Sequence, residues 1–160
     1  MGKVPTVKFY NGAEIPIFGL GTWRANDNEV KQAVKHAIDV GYRHIDGALL
    51  YANEKEIGEA LQDKIREGVI KREDIFITGK LWNSFHNPES VEPSLRTTLK
   101  DLGVDYVDLY LIHWPIAYKE GSGLFPVDAN GKIEFGDYDY VDTWKAMEKV
   151  YEKGLAKNIG

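Results

Sequence analysis

Four side chains able to hold or move a proton stand at or just past the ends of apolar runs. They are the carboxylate of Asp46, the phenol of Tyr51, the ammonium of Lys80 and the imidazole of His113. Asp46 follows Tyr42 to Ile45, Lys80 follows Ile75 to Thr78, and His113 closes Tyr106 to Ile112, so separate segments deliver an acid, an amine and an imidazole. Such a set can fix a charge, polarise a neighbour and hand a proton to a bound substrate. Tyr51 lies in the loop after Asp46, far enough along to fold back over the strand end. Thr22, Trp23, Leu81, Trp82 and Trp114 take the same kind of position.

Each residue also has a plain structural reading. A lysine after a strand is usually solvated, a loop tyrosine usually packs its ring, His113 can be a satisfied core histidine, and Asp46 can cap a helix. The set weighs against four such readings at once. An unpaired carboxylate or ammonium below the rim of a packed fold is costly, and each offers the other a partner.

The elements that must position these groups follow from the pattern. Val7 to Tyr10, Asn11-Gly12 and Ala13 to Ile17 predict a hairpin with a type I′ turn. Ile17 to Leu20 is a strand candidate. Val30, Ala33, Val34, Ala37 and Ile38 make a helical stripe, preceded by a capping box at Asn26 and Glu29 and stopped by Gly41. Asn53 with Glu56 predicts the cap of a second helix carrying Ile57, Ala60, Leu61 and Ile65, ending near Gly68. Asn87-Pro88 starts a third helix, with Val91, Leu95, Leu99 and Leu102 on one face and Gly103 after it. Tyr106 to Ile112 reads as a strand covered on both faces. A long loop spans Trp114 to about Tyr138, a fourth helix carries Val141, Trp144, Met147 and Val150, and Ala156 to Ile159 begins a further strand.

That order is a hairpin followed by βαβαβαβα and the start of a fifth strand. Strict alternation with right-handed crossovers predicts a parallel sheet with helices outside. A doubly wound sheet and an eightfold barrel share this signature. Gly19-Leu20-Gly21-Thr22-Trp23 lacks the full glycine fingerprint of a dinucleotide fold, which tilts the reading toward the barrel, whose sites lie where strands end.

Composition excludes several functions. The 160 residues carry 20 Lys+Arg against 25 Asp+Glu, a net charge of −5, which argues against a general nucleic-acid binder. Cysteine is absent, removing thiol catalysis, Cys-based zinc sites and disulfides, and no metal is expected. At 43% hydrophobic, a chain of this size buries roughly two-thirds of its unfolded surface without such aids. No run reaches the roughly 20 apolar residues of a membrane span, and Met1 to Pro5 has no apolar leader, which predicts a cytoplasmic protein with no membrane partner.

Gly41-Tyr42-Arg43-His44-Ile45-Asp46-Gly47-Ala48, followed by Glu54 and Gly58, resembles the signature of the aldo-keto reductases. Gly19 to Trp23, Lys80-Leu81-Trp82-Asn83, Leu111-Ile112-His113-Trp114-Pro115 and Ala156 to Gly160 extend the likeness over essentially the whole chain. The resemblance implies a (β/α)8 TIM-barrel fold and NADPH-dependent reduction of aldehydes and ketones to alcohols. It maps a catalytic tetrad onto Asp46, Tyr51, Lys80 and His113. A free phenol titrates near 10, and an ammonium beside it, held by a carboxylate, favours the phenolate. Tyr51 is then the general acid, and His113 orients the carbonyl.

The resemblance further places NADPH/NADP beside Gly21, Thr22, Trp23 and Asp46. The substrate lies among Trp23, Leu50, Tyr51, Trp82, His113, Trp114 and Phe125, and the last of these, beside Leu124 and Pro126, favours an apolar carbonyl compound. Gly47 and Gly79 stand where the family more usually has Thr, Cys or Ser, which predicts a looser backbone beside Asp46 and Lys80. A complete barrel needs about 250 residues. Residues 1–160 are therefore expected to be the N-terminal portion of a single barrel domain, with weak NADPH affinity alone. The full-length form is expected to be monomeric, and the shorter chain able to self-associate. The alternative is a catalytically silent half-barrel acting as an interaction or structural module.

Overall fold

A computed structural model of the chain describes residues 4–25 and 29–160, so the expected capping residue Asn26 lies outside the described residues. Two short strands, β1 (Thr6–Lys8) and β2 (Glu14–Pro16), pair antiparallel. The chain then alternates through β3 (Leu20–Gly21), α1 (Glu29–Asp39), β4 (His44–Asp46), α2 (Glu54–Arg66), β5 (Phe76–Leu81), α3 (Pro88–Leu102), β6 (Leu109–Ile112) and α4 (Tyr140–Glu152). The four later strands form one parallel sheet in chain order, β3-β4-β5-β6. No helix among the described residues is long and apolar enough to cross a membrane.

The helices are built by their apolar stripes. Val30, Val34, Ala37 and Ile38 of α1 are buried, as are Ile57, Ala60 and Leu61 of α2 and Val91, Leu95, Leu99 and Leu102 of α3. They meet Ile45, Ile77 and Tyr110 from the sheet in one core, with Ala146, Met147 and Val150 of α4. Each helix packs on the next. The approach of α2 to α3 is close enough that a Cβ on Gly58 would stand 2.4 Å from the carbonyl oxygen of Asp101. At α3 the expected start and stop are present: the Asn87 side chain accepts from the Glu89 amide, Pro88 opens the helix, and Gly103 ends it left-handed at φ 65.

Register puts the site residues on the opposite face from this core. Asp46 pairs with Thr78, and Lys80 stands two residues further along β5. Alternation along a strand therefore turns Asp46, Thr78 and Lys80 one way and Ile45, Ile77 and Gly79 the other.

The hairpin seals the N-terminal ends of these strands. Phe9 stacks on Phe76, His44 Nδ1 meets the Pro16 carbonyl, and the Asn11 amide donates to Asn158 Oδ1 at 2.9 Å. Its turn corrects the expected type I′. Gly12 is left-handed at φ 85 but Asn11 is not, and Gly12 N–H bonds the Phe9 carbonyl while Phe9 N–H bonds that of Ala13. Tyr10 to Gly12 thus make a three-residue loop with a single left-handed glycine.

Other elements begin later than expected. Ile17 donates its N–H to Pro5 and so belongs to the hairpin, leaving β3 to start at Leu20. Strand β6 starts at Leu109 rather than Tyr106. The Asp108 carboxylate takes the Ile77 N–H while the Asp108 N–H donates to the Ile77 carbonyl, and Arg72 donates to the Tyr106 carbonyl, so side-chain bonds mix with backbone bonds before the regular ladder begins. The segment from Trp114 to Tyr138 is folded on itself by antiparallel bridges Tyr118↔Phe135 and Val127↔Ile133. Parallel bridges at Ala156 and Ile159 begin the fifth strand beside β6.

Candidate active site

The groups expected to act together meet at the C-terminal rim of the sheet. Lys80 Nζ donates to Asp46 Oδ1 at 2.6 Å, to the Gly47 carbonyl at 2.9 Å and to the Tyr51 phenolic oxygen at 3.2 Å. An ammonium has three protons and no lone pair, so Lys80 is fully engaged and has none left to offer a substrate. Tyr51 receives one of these bonds, which leaves its own O–H to donate outward. The Lys80 side chain is 12% exposed, whereas that of Asp46, at 37%, reaches the surface of the mouth.

Backbone geometry brings Tyr51 to this place. It ends a 3-10 turn, Leu49–Tyr51, after which Ala52 is left-handed at φ 55. That conformation is uncommon for a side-chain-bearing residue and reverses the chain into α2. Leu50, in the same turn, is half-buried.

His113 follows β6, its N–H held by the Leu81 carbonyl at 3.0 Å. Its ring stands edge-on to Tyr51, centroids 5.8 Å apart, and to Trp82 at 5.2 Å. Burial lowers its pKa, the nearby Lys80 charge lowers it further, and Asp46 opposes both. A neutral imidazole results, with Nδ1 enclosed and without a hydrogen-bond partner. The nitrogen left to meet a ligand is Nε2.

Aromatic residues wall the rim. Trp114 and Phe125 lie 5.1 and 5.3 Å from the Trp82 ring, and both are about half exposed. Trp23, across the mouth, is exposed with the Arg24 guanidinium 4.5 Å over its ring. Trp82, expected to line the pocket, lies beneath these rings. It is fully buried, and its indole N–H donates to the Leu124 carbonyl at 2.7 Å, so it is the floor under the other rings and the tether of their loop.

Gly21, Thr22, Trp23 and Asp46 lie together where β3 and β4 end. Thr22 is buried, and its N–H and Oγ1 both donate to the Asp46 carbonyl. A Cβ at Gly21 would meet nothing within 4 Å, so backbone stands bare beside a carboxylate with one oxygen on Lys80 and its side chain open to the mouth. A hydroxyl-rich ligand fits such a donor set.

Several residues near the site were not anticipated as contributors. Asn53 does not cap α2 as expected: its side chain makes no cap bond, and its amide instead donates to the carbonyls of Thr22 at 2.8 Å and Ala25 at 3.4 Å. Glu54 is buried at 5% exposure, with Thr98 Oγ1 donating to Oε2 at 3.0 Å. Burial pushes its carboxyl up to about 7, against the pull of Thr98 and Lys80. His86, past the end of β5, is buried with neither ring nitrogen bonded, and burial lowers it to about 4. The local signal was a charged residue opening an apolar helix at Glu54. Nothing local marked Asn53 as anything but a cap.

Gly47 and Gly79 have no left-handed backbone, and a Cβ at either would meet its nearest neighbour at an ordinary 3.6 or 3.5 Å. Lys80 itself is held by its three bonds.

Comparison with known proteins gives one consistent answer. The family model described as "Aldo/keto reductase family" matches residues 17–160. Aldo-keto reductase family 1 member A1 of Gallus gallus is 57% identical over 155 residues, covering 96% of this chain and 47% of that protein. The Homo sapiens protein of the same name is 50% identical over 155 residues, covering 96% and 48%. The chain therefore spans about half the length of the curated relatives it matches. A solved structure, the aldose reductase from Schistosoma japonicum, superposes with a TM-score of 0.95 at 51% identity, covering 98% of this chain and 52% of that one. The α/β fold is accordingly that of a TIM-barrel protein over about half of the barrel.

Proposed function

The chain belongs to the aldo/keto reductase family, and from that membership we propose that it supplies the acid–base half of an NADPH-dependent carbonyl reductase, with Tyr51 as the general acid. On this proposal residues 1–160 are the N-terminal portion of one barrel domain, active in the cytoplasm as part of the complete barrel. The observation that carries the reading is the single ammonium of Lys80 shared between Asp46 at 2.6 Å and Tyr51 at 3.2 Å.

Each residue then has a task. Asp46 keeps Lys80 charged and in place. Lys80 donates into the phenolic oxygen, which stabilises negative charge there as the proton leaves. Tyr51 gives that proton to the carbonyl oxygen of the substrate. His113, neutral and wedged between Tyr51 and Trp82, donates from Nε2 to the same oxygen and fixes its direction. Trp23, Trp114 and Phe125, with Leu50 and the buried Trp82 beneath, exclude water and favour a small apolar aldehyde or ketone.

Gly21, Thr22, Trp23 and Asp46 are the residues that would hold NADPH, which supplies the hydride when bound.

The test is a chimera in which this chain replaces the corresponding half of the Gallus gallus relative. We expect aldehyde-dependent oxidation of NADPH, lost by about 100-fold or more in Tyr51→Phe, with NADPH binding retained. Equal rates in the two proteins remove Tyr51 as the acid. A chimera that folds and binds NADPH but oxidises none favours a silent interaction module.

A further inference from the structure

Among the described residues, only Arg24 and Ala52 combine a side chain with a positive φ, at 60° and 55°. Such a backbone is unfavourable for a residue with a side chain and persists where its surroundings over-determine it. Arg24 lies in the turn from Thr22 to Ala25 that presents Trp23. Ala52 lies in the turn that presents Tyr51. One side chain touches both turns: Asn53, next to Ala52 and 2% exposed, donates from Nδ2 to the carbonyls of Thr22 and Ala25, the two ends of the Trp23 turn.

The bonds close a circuit. From Asp46 one arm runs through Lys80 to Tyr51. The other runs from the Asp46 carbonyl to the N–H and Oγ1 of Thr22, and from the Thr22 carbonyl to Asn53. Only the strained peptide at Ala52 separates the two arms. We propose that Asn53 is a positioning residue that sets the Trp23 turn in register with Tyr51, so that a disturbance of one is carried to the other. This rests on the reading of Trp23 and Tyr51 as site residues.

The test needs no turnover, and a chain that reduces no carbonyl leaves it intact. In the 160-residue chain, the indole N–H resonance of Trp23 is assigned with Trp23→Phe. Tyr51→Phe should displace that resonance. In an Asn53→Asp background, which keeps the size but sets a carboxylate against two carbonyl oxygens, the displacement should fall by half or more at neutral pH. Acidification, which returns an O–H donor at that position, should restore it. A residue serving only stability lowers the melting temperature in N53D and leaves the displacement unchanged, which overturns the proposal, as does a Trp23 signal that Tyr51→Phe never moves. If N53D does not fold, Asn53→Ser, whose hydroxyl is too short to span both carbonyls, should show the same loss. Full crosstalk in that variant, or unfolding of both, also overturns it.

Discussion

Lys80 donates its third proton to the phenolic oxygen of Tyr51 across 3.2 Å, the other two being held by Asp46 and Gly47. Lys80→Met keeps the length of the side chain and removes all three donors. In the chimera described above, carbonyl reduction should fall by about 100-fold or more while NADPH still quenches tryptophan fluorescence. Rapid-mixing measurement of NADPH oxidation decides it, and a rate within about threefold of the parent would remove Lys80 from the chemistry.

Glu54 should make the fold less stable as pH rises from acid to neutral. Its carboxyl is raised from 4.5 to about 7 by burial. Between those values the folded chain keeps a proton that the unfolded chain has released, so stability falls as pH rises through this window. The loss amounts to about 3 kcal/mol. Urea unfolding of Glu54→Gln at intervals from about pH 4 to pH 8 should lack this contribution, so that its stability gains on the parent's as pH rises; a parallel curve for the two proteins would place the Glu54 charge in solvent.

His86 should act in the opposite direction. Burial lowers it from 6.5 to about 4, so between these values the unfolded chain binds a proton that the folded one refuses, and stability rises with pH, again by about 3 kcal/mol. The windows of Glu54 and His86 overlap almost completely, and the two slopes nearly cancel in the parent. His86→Gln should therefore expose a stability that falls from about pH 4.5 to pH 6.5, and Glu54→Gln one that rises there. A double variant whose pH slope matches the parent's, seen in the same urea series, completes the check.

Two glycines should respond to alanine with opposite signs. Gly58→Ala places a methyl 2.4 Å from the Asp101 carbonyl oxygen and 2.7 Å from the carbonyl of Leu102, atoms that cannot turn away, and should destabilise by about 2 kcal/mol or more. Gly47→Ala meets the Thr78 oxygen at 3.6 Å, Ile57 Cδ1 at 3.7 Å and Thr22 Oγ1 at 3.9 Å, all ordinary contacts, and should stabilise by about 0.5 kcal/mol by restricting the unfolded chain. Thermal unfolding of both reads the difference; a stabilised Gly58→Ala would mean α2 and α3 are further apart than described.

What could be read from the chain followed the range of the forces involved. The helix beginning at Asn87-Pro88 and ending at Gly103 was legible because its cap, first turn and stop are contacts among near neighbours. The meeting of Asp46, Lys80 and His113 was legible because alternating strands and helices place every strand end on one rim. Asn53 was misread for the same reason that Asn87 was not. Cap preferences describe a local bond, whereas the carbonyls that Asn53 reaches lie 28 and 31 residues earlier. The burial of Trp82 was not legible, because its position at a strand end says nothing of a loop carbonyl, Leu124, that folds over it. The start of β6 was placed too early because apolar residues at Tyr106 and Val107 fit a strand, while the carboxylate of Asp108 competes for the ladder.

The side-chain pair of Asn11 and Asn158 spans 147 positions. A ribosome adding about 5 to 20 residues each second makes the first partner roughly 7 to 30 seconds before the second exists. Throughout that wait the small antiparallel ribbon has Phe9 to rest on Phe76 but no amide to latch onto. The underside of this part of the molecule is thus closed only once residue 158 has emerged, and a pause in translation before that point would prolong the time during which chaperones find it open.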